Sequence, residues 1–310
     1  MKVQANSVVP ADKGWRIWWQ LTRPHTLTAA FVPVLLGTAL AGKQQHTIHI
    51  SLFITMLLAS LLIQAATNMF NEYFDYKRGL DHEGSVGIGG AIVRNGVHPK
   101  TVLKLAFTLF GVALILGAYI SLNSSLWIAV VGLICMAAGY FYTGGPHPIA
   151  YTPFGELTSG FFMGFIIIQI SFFIQTGSIS SLSILISIPV SILIGNIMLS
   201  NNIRDLDGDK ESGRKTIAIL VGRQNAIKIL AALFIVSYCW IILLVVFTDT
   251  SYWLLVTFIS IPKAYKAVKG FIGKTEPLHM MPAMVATAQT NTIFGFLMSI
   301  GLIISYFSNF

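Results

Sequence analysis

Long apolar segments alternate with short polar connections along nearly the whole chain. An α-helix rises about 1.5 Å per residue, so about 20 apolar residues cross the hydrocarbon core of a bilayer. Most of the segments reach that length, and their connections are too short to hold soluble domains. The pattern predicts an all-α integral membrane protein with about nine transmembrane helices. They fall near residues 26–42, 51–70, 101–121, 125–143, 154–175, 182–203, 226–247, 251–262 and 292–309.

Composition supports this prediction and excludes an ordinary soluble protein. Hydrophobic residues make up 55% of the chain and charged residues only 10%, where soluble domains carry roughly 25% charged residues. The mean hydropathy is +0.73. Residues 1–14 form a polar tail without the features of a signal peptide. We therefore expect one transmembrane domain over residues 1–310, preceded by this tail.

The distribution of basic residues predicts the orientation of the chain. With the N-terminus inside the cell, 19 of the 20 Lys and Arg residues fall on the cytoplasmic side, and only Lys43 falls on the other. Short loops rich in Lys and Arg stay in the cytoplasm, so we expect a multi-pass plasma-membrane protein with its N-terminus and functional loops there. The net charge of +8 suits anionic lipid headgroups or a phosphorylated substrate. Nucleic acid is not an expected partner, because these basic residues lie in short juxtamembrane loops.

Two acidic clusters stand out in a chain with only 12 acidic residues. One covers residues 71–81, after the second apolar segment, and the other covers residues 201–209, after the sixth. Asn71 and Asp75 have the same spacing as Asn201 and Asp205. Four spans separate the clusters, so both lie on the cytoplasmic face. This recurrence indicates two four-helix halves followed by a final helix.

Each cluster forms one polar face if its helix continues through it, because residues three or four apart are neighbours on a helix. On the second helix this face carries Asn68, Asn71 and Asp75. On the sixth it carries Asn201, Asp205 and Asp209. Gly79 is expected to end the second helix, so that Asp81 turns back from the loop. Two such faces opposed across a bundle would hold one or two Mg²⁺ ions, which bind a few carboxylates together with phosphate oxygens.

The surrounding residues indicate what would bind there. Arg94, Arg214 and Lys215 are placed to neutralise a diphosphate. The apolar helices would bury a hydrocarbon tail, at about 0.8 kcal/mol for each CH₂ removed from water. A ligand with both parts is a polyprenyl diphosphate. Aromatic faces at 140–142 would stabilise an allylic cation after the diphosphate leaves.

These segments resemble the UbiA superfamily of intramembrane aromatic prenyltransferases over nearly the whole chain. The resemblance rests on the paired acidic motifs at 71–81 and 201–209. The segment 142–151, with Gly155-Glu156, and the segment 213–216 look like the branch that acts on 1,4-dihydroxy-2-naphthoate in menaquinone synthesis. The resemblance implies nine helices around a central cavity and a cytoplasmic site. Glu72 stands where family members often carry Asp.

The resemblance also implies a role for each matching residue. The Mg²⁺ ligands, which are also the catalytic residues, are Asn71, Asp75, Asp205 and Asp209. The substrate-binding residues are Arg23, Asn68, Asp81, Arg94, Tyr142, Asn201, Asn202, Arg214 and Lys215. His25 accompanies Arg23 at the entry to the first span, and Glu156 either orients the aromatic acceptor or simply caps a helix.

The expected activity is Mg²⁺-dependent transfer of a polyprenyl chain from polyprenyl diphosphate to 1,4-dihydroxy-2-naphthoate. It releases diphosphate and CO₂ and forms demethylmenaquinone. One alternative is transfer to 4-hydroxybenzoate or another aromatic acceptor. Another is a CDP-alcohol phosphotransferase, which would leave the first cluster without a role. An ion-coupled secondary transporter would place its ionisable groups near the bilayer midplane.

Overall fold

The computed structural model of the protein describes residues 13–81, 90–248 and 250–307, and within these ranges all regular structure is helical. The predicted all-α class is therefore confirmed. The α-helices are α1 (Trp15–Leu21), α2 (Pro24–Gln45), α3 (Ile50–Lys77), α4 (Pro99–Leu122), α5 (Leu126–Thr143), α6 (Gly155–Ser159), α7 (Ile167–Thr176), α8 (Ser181–Glu211), α9 (Ile217–Val221), α10 (Arg223–Phe247), α11 (Ile261–Phe271) and α12 (Pro277–Phe307). A π-helical turn, Gly160–Ile166, joins α6 to α7.

Eight stretches among the described residues are long and apolar enough to cross a membrane. They are α2, α3, α4, α5, the continuous helix Gly155–Thr176, α8, α10 and α12. Polar tail residues 1–12 lie outside the described ranges. The last span begins earlier than the sequence indicated, because α12 starts at Pro277. It is also longer than its apolar core requires, since it spans 31 residues.

The eighth predicted segment, 251–262, has a different form. A 3-10 helix, Tyr252–Ser260, runs directly into α11. A Cβ built on Gly301 would lie 2.7 Å from the Trp253 carbonyl oxygen, and one built on Gly270 would lie 2.8 Å from the Ala283 Cβ. These two approaches place the segment antiparallel to α12 along most of its length. The predicted number of nine transmembrane helices is reached only when this split helix is counted with the eight stretches above. It lacks a long uninterrupted apolar stretch because α11 carries several lysines.

Buried apolar side chains form two main cores. One core joins α2 and α7 to α8, α10, α11 and α12. The other joins α3, α4 and α5 to Leu21 at the end of α1 and to Ala91 and Ile92 in the following loop. The final helix, α12, is therefore packed into the core that also contains α2, α8 and α10, rather than being an appendage. A small third core, with Val34, Met56 and Ile170, connects α2 and α3 with α7.

Helices α3 and α8 continue past their apolar segments into the two acidic clusters. Helix α3 ends at Lys77, and Gly79 adopts the left-handed conformation with φ of 74°. Helix α8 continues to Glu211, and Gly213 has φ of 78°. Glycine has no Cβ and adopts positive φ easily, so these residues let the chain turn back over each helix end. In each case the turn returns polar residues towards the helix tip.

Candidate active site

Arg214 joins the two acidic clusters. Its Nη2 donates to the Asp75 Oδ1 at 2.8 Å, and its Nη1 donates to the Asp209 Oδ1 at 2.9 Å. Asp75 belongs to the first half of the molecule and Asp209 to the second. The two helix tips therefore meet on the same side of the bundle, which the repeated motif predicted.

Burial makes these contacts strong. The Arg214 side chain is 14% exposed, and those of Asp75 and Asp209 are 18% and 10% exposed. Charges removed from water interact more strongly, and an arginine fork bound to carboxylates is among the stronger hydrogen-bonded pairs. Burial alone disfavours the charged guanidinium, but Asp75 and Asp209 outweigh it, so the pKa of Arg214 is raised. Arg214 remains a cation at any physiological pH.

Asp205 is engaged by a different arginine. Arg204 Nε and Nη2 donate to its two carboxylate oxygens at 2.7 and 2.5 Å. The Arg204 guanidinium also contacts the sulfur atoms of Met281 and Met284 in α12. The Asp205 side chain is 37% exposed, the most open of the predicted carboxylate ligands.

The asparagines of the first motif lie just below Asp75. Thr143 Oγ1 donates to Asn71 Oδ1 at 2.7 Å, which links α3 to the end of α5. Asn68 Nδ2 donates to the Thr22 carbonyl at 2.8 Å and to Thr26 Oγ1 at 2.9 Å. Both amide side chains are thus held in fixed orientations by their neighbours.

Glu72 anchors the loop that follows the first motif. Its Oε1 accepts hydrogen bonds from the backbone amides of Gly90 at 2.7 Å and Ile92 at 3.3 Å. Its Oε2 lies 3.7 Å from Arg23 Nη2, and the side chain is 2% exposed. Arg94 folds back against Gly90, whose φ is 88°. Glu72 therefore holds the described part of the loop between α3 and α4 against the first motif.

Asp81 lies in the same acidic surroundings. Burial, followed by the negative charges of Asp75 and Glu72, raises the pKa of Asp81 to about 6 from its ordinary value of 3.8. Arg23 and Arg214 oppose this shift only in part. The turn after Gly79 has brought Asp81 back towards Asp75, as the sequence predicted.

Two residues outside the predicted set complete the surroundings of Arg214. The Arg214 guanidinium carbon lies 5.2 Å from the centre of the Tyr151 ring, and that of Arg78 lies 5.5 Å from the same centre. Arg78 also donates to the carbonyl oxygens of Thr143 and Gly145. The sequence predicts for Arg78 only the role of a solvated charge that sets topology, and the structure adds these contacts with the end of α5 and with Tyr151. Lys215 has an exposed side chain, and its backbone amide donates to the Tyr151 carbonyl at 3.0 Å.

A second polar pair lies where α6 meets α8. Asn202 Nδ2 donates to Glu156 Oε1 at 2.9 Å, and both side chains are buried. Tyr142 forms a hydrogen bond with the side chain of Ser159. Asn202 therefore supports Glu156 in the second half and does not reach towards Asp205.

An apolar cavity of about 360 Å³ begins beside these motifs. Its polar end is lined by Arg23, Asn68, Asn71, Tyr142 and Asn201. Its walls come from apolar and small residues of α3, α4, α5, α7 and α8, as far as Met56, Ile120 and Ile128. From Asn71 to Met56 the cavity follows α3 over 15 residues, which is about 22 Å. Of the aromatic residues at 140–142, Tyr142 lines the cavity, Tyr140 packs in the core of the first half and Phe141 is 49% exposed.

The donor atoms of the two motifs fit Mg²⁺. No group of three or more His, Cys, Asp or Glu side chains among the described residues forms a ready metal site. Asp75 and Asp209 nevertheless hold one cation, a guanidinium, between them. Mg²⁺ prefers hard oxygen donors and binds through one or two carboxylates, with water and substrate phosphates as further ligands. Asp75 and Asp209 can supply these carboxylates, with Asp205 and Asn71 nearby along the same helices.

The structure thus brings together most of the residues that the sequence singled out. Asp75, Asp209 and Arg214 meet directly, Asp81 lies close enough to feel the charge of Asp75, and Asn68, Asn71 and Arg23 border the cavity beneath them. Sequence reasoning missed Thr143, Tyr151 and Arg204 as partners of these groups. Thr143 and Tyr151 lie in the motif 142–151, whose polar and aromatic residues between two apolar segments were the available signal.

Comparisons with known proteins agree with this architecture. The UbiA prenyltransferase family matches residues 30–279. A 1,4-dihydroxy-2-naphthoate octaprenyltransferase of Bacillus subtilis (strain 168) is 60% identical over 292 residues, which cover 94% of each chain. A protein of the same description from Escherichia coli (strain K12) is 26% identical, covering 93% of this chain and 95% of that one.

Solved structures share the fold. An apo UbiA homolog from Aeropyrum pernix K1 superposes with a TM-score of 0.68 at 16% identity, covering 91% of this chain and 98% of that one. A UbiA homolog from Archaeoglobus fulgidus, described as bound to DMAPP and Mg²⁺, gives a TM-score of 0.62 at 15% identity, with coverages of 91% and 99%. With the family match over most of its length and a relative of such high identity, the chain belongs to the UbiA prenyltransferase family.

Proposed function

We propose that the protein transfers a polyprenyl chain from polyprenyl diphosphate to 1,4-dihydroxy-2-naphthoate in a Mg²⁺-dependent reaction in the plasma membrane. The observation that carries this proposal is the Arg214 bridge between Asp75 and Asp209, at the polar end of an apolar cavity. A site of this kind suits a ligand with an anionic head and a long hydrocarbon tail. The B. subtilis relative, named for the naphthoate acceptor, supports this acceptor over 4-hydroxybenzoate.

The transfer breaks the bond between the first prenyl carbon and the diphosphate oxygen, and the electron pair leaves with the diphosphate. A ring carbon of the acceptor attacks the resulting allylic cation. The ring carboxylate leaves as CO₂, and its electron pair returns to the ring. The product is therefore demethylmenaquinone in its reduced, quinol form, and no oxidant is needed in this step.

The residues of the chain bind and orient the reactants. Arg214 supplies a fixed positive charge for the diphosphate, and the walls from α3, α4 and α5 take up the tail. Bound Mg²⁺ would neutralise charge that develops on the departing diphosphate, and Asp75, Asp205, Asp209 and Asn71 would hold it. Tyr142 lines the cavity at its polar end, where an aromatic ring would stabilise an allylic cation. The cytoplasmic orientation expected from the basic loops places this site where a soluble diphosphate product is released.

Product analysis tests the proposal. Purified protein in lipid nanodiscs receives Mg²⁺, mixed all-trans prenyl diphosphates and a panel of aromatic acids, and mass spectrometry identifies the lipid product. We expect a prenylated, decarboxylated naphthoquinol. Asp75→Ala and Asp205→Ala should each lower turnover by at least about 100-fold, because each removes a carboxylate that stabilises the ionisation complex.

Asp207→Ala is the matched control, since Asp207 lies in the same helix with a 69% exposed side chain bound to Arg223. It should retain turnover within about threefold, the effect of losing one surface ion pair. Full activity of Asp75→Ala or Asp205→Ala would overturn the proposal. Transport is the competing class, and solute uptake into proteoliposomes with no covalent product would favour it. The carboxylates at the ends of α3 and α8, rather than at midplane, argue against transport.

A further inference from the structure

Tyr151 lies where the two halves of the active site meet. It ends the 3-10 turn Ile149–Tyr151, between α5 and α6. Its ring is within cation–π distance of both Arg78 and Arg214, at 5.5 and 5.2 Å. Its carbonyl oxygen also accepts a hydrogen bond from the backbone amide of Lys215. Tyr151 therefore contacts both the side chain of Arg214 and the backbone next to it.

The ring is itself held in place by Arg78. The Arg78 guanidinium caps the end of α5 by donating to the Thr143 and Gly145 carbonyl oxygens, the latter at 3.0 Å. It also lies 5.4 Å from the Phe74 ring centre. These neutral partners hold Arg78 in place against the end of α5, in the first half of the molecule. Arg78 in turn contacts the Tyr151 ring, which lies in the connection between α5 and α6.

Arg214 requires such support because it projects from a turn after the end of α8. Arginine has many rotamers, and ordering it costs side-chain entropy. A flat guanidinium lies well on an aromatic face, and this contact leaves the edge nitrogens available for hydrogen bonds. In the structure, both Nη atoms point to carboxylates, while Nε has no hydrogen-bond partner among the described residues. The flat face of the guanidinium therefore packs on the Tyr151 ring, and its edge nitrogens bind the carboxylates.

We propose that Tyr151 is a positioning residue whose ring holds the Arg214 guanidinium where the diphosphate of the donor binds. This inference rests on the proposed function, in which Arg214 binds that diphosphate. Tyr151 does not touch the reacting atoms in this role. It lowers the cost of ordering Arg214, so its removal weakens binding of the donor and leaves binding of the acceptor unchanged.

Steady-state kinetics give the first test. Tyr151→Leu should raise the KM for polyprenyl diphosphate about tenfold, the scale of a partly desolvated cation–π contact, with the KM for the aromatic acceptor unchanged. Tyr151→Phe keeps the aromatic face and should recover the affinity that Tyr151→Leu loses. Should Tyr151→Leu not fold, Tyr151→Met provides the same test with an unbranched side chain. A Phe variant as weak as the Leu variant would exclude the ring face as the cause.

A double-mutant cycle shows whether Tyr151 acts through Arg214. Binding of inorganic pyrophosphate with Mg²⁺ is measured by calorimetry for Tyr151→Leu, Arg214→Gln and the double variant. We expect Tyr151→Leu to weaken binding about tenfold in the wild-type background and less than twofold in the Arg214→Gln background. Equal losses in both backgrounds would show that Tyr151 acts independently of Arg214 and would overturn the proposal.

Tyr265 supplies a matched control. Its ring lies 5.8 Å from Lys269 Nζ, so it also makes a cation–π contact, but it is 65% exposed on α11, away from the site. Tyr265→Leu should leave pyrophosphate binding unchanged. The binding assay also separates the two proposals. If wild-type protein binds pyrophosphate but prenylates no acceptor, the proposed function fails alone, while unchanged binding by Tyr151→Leu rejects the positioning role alone.

Discussion

Arginines pair with most of the carboxylates of the two acidic clusters. The pairs are Arg23 with Glu72, Arg204 with Asp205, Arg223 with Asp207, and Arg214 with both Asp75 and Asp209. A buried carboxylate without a partner would cost several kcal/mol, so the clusters depend on these arginines. In the proposed function, a metal bound by Asp75 and Asp209 would take over the role of Arg214 there. The guanidinium, still held beside the site, can then bind the diphosphate.

The effect of the acidic surroundings on Asp81 can be measured as a pH dependence of protein stability. The raised pKa of Asp81, about 6 against an ordinary 3.8, means that the folded protein binds its proton more tightly than the unfolded chain does. The stabilising contribution of the neutral form is therefore lost as the pH rises from about 4 to about 6. In Asp81→Asn the side chain is neutral at every pH, so the variant keeps this contribution when the pH rises. In EDTA, we expect this variant to melt at a higher temperature than wild type at pH 7.5, with the gap narrowing as the pH falls from about 6 towards 4. A difference in melting temperature that stays the same over this pH range would contradict the raised pKa of Asp81.

Close helix contacts position the second half of the site. A Cβ built on Gly160 would lie 2.5 Å from the Ser191 carbonyl oxygen, and one built on Gly164 would lie 2.5 Å from the Ser191 Cα. Small residues four apart let two membrane helices approach closely, and here they bring the helix Gly155–Thr176 against α8. This approach sets the position of Glu156 against Asn202. It also brings Ser159 to the cavity wall beside Tyr142.

Gly164→Ala tests this contact. The added methyl group meets backbone atoms of α8, which cannot move aside as a flexible side chain would, so we expect a destabilisation of about 1–3 kcal/mol. Gly111→Ala, where an added Cβ meets nothing within 4 Å, is the matched control. It should be neutral or stabilising, because alanine favours helix over glycine. The measurement is thermal unfolding in detergent, and equal melting temperatures for both variants would reject the close packing.

Residue patterns predicted some elements better than others. The continuation of α8 through Asp209 and the turn at Gly79 followed from local spacing and from glycine chemistry. The contacts of Arg214 did not, because it reaches Asp75 and the Tyr151 ring only after the chain has folded. The split eighth segment also differed from the prediction, since the lysines of α11 shorten its apolar run although it packs along α12. Local rules therefore predict helices and turns, while contacts between the halves depend on packing.

For the whole molecule, the decisive arrangement is a polar site above an apolar cavity. The two halves each supply one acidic helix tip, and their cores leave space between α3, α4, α5, α7 and α8. The sequence indicated that such a cavity exists but not its course. Small residues such as Gly117, Gly132 and Gly139 leave room along the walls and so determine the path of the cavity.

The two cysteines of the chain allow the course of the cavity to be tested. Cys135 lines the cavity, whereas Cys239 is exposed on the outer surface of α10. A prenyl tail that fills the cavity would cover Cys135 and leave Cys239 open. In single-cysteine variants, made by Cys239→Ser or Cys135→Ser, a lipophilic maleimide should react with both thiols in the free protein. A long-chain prenyl diphosphate with Mg²⁺ should slow the reaction of Cys135 at least about tenfold, while inorganic pyrophosphate, which has no tail, should not.

Cys239 serves as the control for changes in the membrane or detergent environment, because its reaction rate should not depend on either ligand. Equal protection of Cys135 by pyrophosphate and by the prenyl compound would show a conformational change rather than occupancy by the tail. Protection that first appears above a certain prenyl length would measure the distance from the diphosphate site to Cys135. The cavity extends about 22 Å along α3, so chains too short to reach Cys135 should leave it reactive even when they bind.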